Sequence, residues 1–97
     1  MPGSRPQKKS RLRLRLYVAG SAPNSLHAIA SIRTICEELA PRVPDLEIVD
    51  MLTDPQRALA DGIIVTPTLL RLRPLPVQRL IGGLGDLPRV MRLLEGT

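Results

Sequence analysis

The chain has 97 residues, with 14 lysines and arginines against 9 acidic residues and a net charge of +5. It has no Phe or Trp, one Tyr (Tyr17) and one cysteine (Cys36). This inventory fits one domain with a modest aliphatic core, excludes an internal disulfide, and leaves so little margin of stability that self-association is expected.

Residues 1–10, MPGSRPQKKS, have no periodicity and read as a disordered basic tail ahead of a single domain over 11–97. Much of the excess charge sits on Arg5, Lys8, Lys9, Arg11, Arg13 and Arg15. Such a run suits nucleic acid or an acidic partner, but it reads first as a solvated tail running into a strand. Tyr17 alone is a poor platform for stacking bases. Arg11, Arg13 and Arg15 interrupt any signal-peptide core, and no apolar run approaches the ~18 residues of a membrane span. A cytoplasmic protein is expected.

In RLRLRLYV, Leu12, Leu14, Leu16 and Val18 alternate with Arg11, Arg13, Arg15 and Tyr17, the period of a strand with one buried face. The three arginines imply that the other face is not fully covered near the strand's start. GSAPNS (20–25) is a turn in which Asn24 or Ser25 can cap a helix. Leu26, Ile29, Ile32, Ile35, Cys36 and Leu39 then recur at helical spacing, predicting a helix over about 25–40 that Pro41 ends. LEIVDML (46–52) reads as a second strand. Asp54 is placed to cap a short helix with Pro55 at its first position, and Gly62 suits the left-handed end of that helix. TLLRLR and VQRLIG read as a third and a fourth strand joined through PLP. Pro67 stands at the entry to the third strand, where no ladder donor is needed. Asp86 caps a last helix with Pro88 in its first turn and Leu87, Val90, Met91 and Leu94 on its apolar face. The order predicts an α/β fold of thioredoxin-like βαβαββα type with a mixed four-stranded sheet.

Few residues carry obvious chemistry. In a redox protein of this fold, a sulfur would sit in the first strand-to-helix turn, where the helix N-terminus lowers a thiol pKa. Here that turn is Ser21-Ala22-Pro23-Asn24. Cys36 lies near the far end of the helix and reads as a small core residue. His27 and Cys36 are about two and a half turns and ~13 Å apart on opposite sides, so they form no dyad. His27 reads as a surface residue. Neither a zinc site nor any other metal or cofactor is indicated. Gly82, Gly83 and Gly85 match no phosphate-binding fingerprint and read as a flexible turn. Asp50 and Asp54 have no acid or base partner that would make them a catalytic pair.

Three segments carry a resemblance. LYVAGSAPNS (16–25), IVDMLTDPQRALADGIIVTPTLL (48–70) and PLPVQRLIGGLGD (74–86) resemble the KaiB family of circadian-clock adaptors, in order and without evident gaps from about Leu14 to Val90. The resemblance implies a thioredoxin-like module without thiol chemistry that binds the ring-shaped ATPase KaiC and is related to the sensor domain of the histidine kinase SasA. It also implies a homo-oligomer, dimer or tetramer, and a C-terminal half able to adopt an alternative, fold-switched arrangement.

On this footing the second strand is the expected docking edge, with partner-binding residues Asp45, Glu47, Gly62 and His27. Pro67 occupies the structural cis-proline position. The chain departs from the family's pattern at several places: His27 replaces an Arg, Gly83 replaces an Asp, and Pro74-Leu75-Pro76 replaces a triple proline. Leu93 stands where the family's last helix commonly carries Gly. Because Gly in a helix interior costs about 1 kcal/mol relative to Ala, the chain is expected to rest mainly in the thioredoxin-like fold. Two other readings stay open: a redox or stress-response protein of the same fold, and a basic nucleic-acid-binding module.

Overall fold

The computed structural model describes residues 12–38, 45–82 and 84–95. The basic tail, Leu39, Pro41 and Gly83 fall outside the described residues. Strand β1 (Arg13–Val18) leads through a turn into helix α1 (Pro23–Glu38). Strand β2 (Asp45–Asp50), helix α2 (Pro55–Ala60), strands β3 (Thr68–Arg73) and β4 (Gln78–Ile81), and helix α3 (Leu87–Glu95) follow. The strands form one mixed sheet in the order β2-β1-β3-β4. β1 pairs in parallel with β2 from Arg13↔Asp45 to Val18↔Asp50, and antiparallel with β3. β3 and β4 form an antiparallel hairpin. This is the thioredoxin-like βαβαββα order.

The period-2 alternation of β1 sends Leu14, Leu16 and Val18 to one face, where they pack with Ala28, Ile32, Ile35 and Cys36 of α1 and Val90, Leu93 and Leu94 of α3. Leu69 and Leu80 complete that core from β3 and β4. The opposite face buries Tyr17, Val49 and Leu70 under Ala58 of α2 and Ile63. Since α2 has six residues, it covers only one end of that face. The arginine-bearing side of β1 is therefore closed at Tyr17 and open at Arg13.

Several local expectations are corrected. α1 starts at Pro23 rather than at about 25, and Ser25 is no cap: it is buried, and its Oγ accepts the Ala19 N–H at 3.0 Å. Leu26 is 53% exposed, and the buried face of α1 begins with Ser25 and Ala28 instead. β2 spans 45–50 and not 46–52, because Asp50 turns the chain: its Oδ1 accepts the N–H groups of Gly20 and Leu52. Asp54 precedes α2 but makes no side-chain cap bond. On α3, Leu87 is 54% exposed, and Leu93 takes a core position at 9%. Asp86 does cap α3, accepting the Arg89 N–H at 3.3 Å.

Gly62 ends α2 as the sequence suggests. At φ +68° its N–H reaches the Leu59 carbonyl while the Ile63 N–H reaches the Ala58 carbonyl, and Ile63 and Ala58 share the core beneath α2. The Thr66–Pro67, Arg73–Pro74 and Leu75–Pro76 peptide bonds are all cis. The prolines thus bracket β3 and leave its ladder intact.

Candidate functional site

β2 is an outer strand of the sheet. The Asp45 N–H bonds the Leu12 carbonyl and the Met51 N–H bonds the Val18 carbonyl. By the alternation of a parallel ladder, the main-chain groups of Leu46 and Ile48 therefore point outward, away from β1. No strand of the described residues pairs with them.

The side chains beside this edge form a lattice of ion pairs on the α2 face. Register places Arg13 against Asp45 and Arg15 against Glu47. Arg13 lies 3.4 Å from Asp45, in the open. Arg15 reaches further, with Nε 2.9 Å from Glu47 Oε1 and a terminal nitrogen 3.0 Å from Asp61 Oδ2. Arg57 of α2 closes the circuit at 2.6 Å from Glu47 Oε2. The Tyr17 hydroxyl lies 2.6 Å from Asp61 Oδ2 and 3.0 Å from the Arg57 carbonyl. Having one proton, it donates to the nearer carboxylate.

The titration behaviour follows from these contacts. The hydrogen bond from Arg57, helped by Arg15 and outweighing the opposing effect of burial, holds the Glu47 carboxyl down at about 2. Burial pushes Asp61 up, but the bonds from Tyr17 and Arg15 prevail and leave it below its ordinary value. Burial, then the bond to Asp61, pushes the Tyr17 phenol up to about 12. All nine acidic residues and nine of the fourteen basic ones lie among the described residues, whose formal charges cancel. The excess of +5 sits on Arg5, Lys8, Lys9, Arg11 and Arg42, outside them.

Of the residues singled out from sequence, Asp45 and Glu47 stand together on β2, with their carboxylates already paired inside the chain. Gly62 is not brought to them: the Asp61 carboxylate before it joins the lattice through Arg15, but the Gly62 and Asp61 carbonyls are taken by Arg79 of β4, at the other side of the sheet. His27 is not brought to this site. It is exposed on α1, across the sheet from the lattice. Cys36 is buried in the α1 core, where burial pushes its thiol up, and so is a packing residue. The β1–α1 turn holds no sulfur. Among the described residues, no three His, Cys, Asp or Glu side chains are grouped to hold a metal ion, and no helix is long and apolar enough to cross a membrane.

Sequence reading missed two arrangements. One is the partnership of Arg15 with Asp61, 46 positions apart, for which no local pattern exists. The other is Arg71, which is 2% exposed and donates to the Leu93 carbonyl of α3 and the Pro76 carbonyl, each at 3.0 Å. Its Nε is buried without a partner. The alternation of TLLRLR did contain that signal, since Arg71 shares the face of Leu69.

Residues 15–95 match the KaiB domain model. The circadian clock oscillator protein KaiB of Prochlorococcus marinus is 47% identical over 78 residues, a match covering 80% of this chain and 66% of that protein. The chain thus spans about two thirds of that relative's length. KaiB of Synechococcus elongatus is 45% identical over 78 residues, covering 80% and 76%. Among solved structures, the N-terminal domain of Synechococcus elongatus SasA aligns with a TM-score of 0.74 at 24% identity, covering 100% of this chain and 92% of that one. A mutant thioredoxin from Halobacterium salinarum also gives 0.74, at 18% identity, covering 93% and 77%. These structural likenesses establish the thioredoxin-like fold, and the sequence match goes further: the chain belongs to the KaiB family.

Proposed function

We propose that the chain is a non-enzymatic KaiB-like adaptor that docks onto a KaiC-type RecA-like ATPase and regulates clock or signalling output. The KaiB-domain match over 15–95 carries this reading. The β2 edge is the proposed docking element. Its side-chain charges are balanced within the chain, so what it offers a partner is the outward main chain of Leu46 and Ile48, with Asp45 and Glu47 setting the polar surroundings. Gly62, held by Arg79 of β4, meets the partner away from that edge in this reading. His27, on the other side of the sheet, meets a second part of the partner in this reading. A SasA-like histidine kinase is a second proposed partner in this reading.

The test is co-purification with the tagged full-length chain from native extract, followed by identification of the captured proteins. A RecA-like ATPase is expected, and its absence would refute the reading. Size measurement of the purified chain checks the expected dimer or tetramer.

A further inference from the structure

The opposite side of the sheet ends in β4, and its outer edge differs from that of β2. The Gly82 N–H bonds the Pro67 carbonyl, and Ile81 lies opposite Thr68. By the alternation of an antiparallel ladder, Leu80 and Gln78 direct their main-chain groups toward β3, whereas Arg79 and Ile81 direct theirs away from it. The side chains of Arg79 and Ile81 share the α2 face, and Val77 immediately precedes the strand. Val77 is 52% exposed and Ile81 54%. Between them, Arg79 is held by the Asp61 and Gly62 carbonyls and pairs with no carboxylate among the described residues. The Asp61 carboxylate is committed to Arg15 and Tyr17. Exposed Val65 extends the apolar surface, because Thr68, the partner of Ile81, donates to its carbonyl.

We propose that the outer edge of β4 is a second docking site, which takes an extended segment of a partner protein carrying a carboxylate between two apolar residues at alternate positions. Paired as a fifth strand, the segment sets its carboxylate opposite Arg79 and its apolar residues beside Val77 and Ile81. Main-chain bonds supply affinity, and the central charge supplies selection. Charge decides against a second copy of this chain as the occupant. Two β4 strands meeting about a two-fold axis would bring their Arg79 guanidinium groups together on one face with no free carboxylate between them. A nucleic acid is disfavoured by the single cation and its apolar flanks.

The experiment titrates the full-length chain with the peptide acetyl-STVTETLTS-amide and with its counterpart carrying lysine for the central glutamate, read by amide shifts and hydrogen exchange. The glutamate peptide is expected to bind about fivefold or more tightly than the lysine peptide and to protect the amides of Val77, Arg79 and Ile81. In Arg79→Glu the preference should invert, a gain that misfolding does not produce. Equal binding of both peptides, or protection confined to β2, would overturn the proposal. Concentration-dependent protection of β4 without peptide would assign the edge to a second copy and overturn it too.

Discussion

Toward α1 and α3 the sheet is sealed by aliphatic side chains drawn from six elements. Toward α2 it buries Tyr17, Val49 and Leu70 and then gives way to the ion pairs of Arg13, Arg15, Arg57, Asp45, Glu47 and Asp61. The difference follows from helix length: a helix of six residues cannot roof four strands, so charged pairs finish what packing begins. Burial of aliphatic groups does not titrate and is not screened by salt, whereas the lattice titrates and is screened. One face therefore holds the molecule together while the other sets its polar surface near β2.

The largest effect expected from breaking this contrast is on the aliphatic face. Leu93→Gly removes a buried side chain and weakens α3, and should cost about 4 kcal/mol in chemical denaturation. A loss below about 1 kcal/mol would mean that α3 contributes little to that core. On the other face, Tyr17→Phe keeps the ring and deletes the bond to Asp61, for an expected cost of about 1.5 kcal/mol. The wild-type chain should also lose stability as the pH rises from about 10, where the unfolded phenol ionises, to about 12, where the folded one does, and the Phe variant should lack that component.

Acid should separate the faces next. Glu47 and Asp61 titrate lower in the folded chain than in the unfolded one, so their contribution is complete above about pH 5 and is lost on acidification toward about pH 2. The melting temperature should fall over that window, and Glu47→Gln should flatten the fall; an unchanged acid profile in the variant would place the acid sensitivity elsewhere. The smallest effect belongs to the open pair. Asp45→Ala should cost under about 0.5 kcal/mol, and less still in high salt, by thermal melts.

Periodicity made the sheet and both long helices legible, because every strand in it alternates or runs apolar and α1 repeats at helical spacing. It failed at helix ends. Leu26 and Leu87 fit the apolar stripe by spacing, yet each lies in the first turn of its helix and is more than half exposed. Leu93, off the expected stripe, is drawn in because α3 lies over Arg71 and Leu80. β2 could be recognised as a strand, but not the pairing of its carboxylates, which depends on Arg57 and on a register that only the folded sheet defines. Gly62 was legible for a local reason: a left-handed residue after a helix is a one-residue requirement.

Arg71 has a consequence for how the molecule opens. Its guanidinium joins the last turn of α3 to the loop before β4, so lifting either strips hydrogen bonds from a buried cation. The helix and the hairpin loop are thereby coupled into one cooperative unit, and partial excursions that release only one of them are suppressed. Native-state hydrogen exchange should register this as a shared opening free energy for the protected amides of α3 and β4, distinct from that of α1.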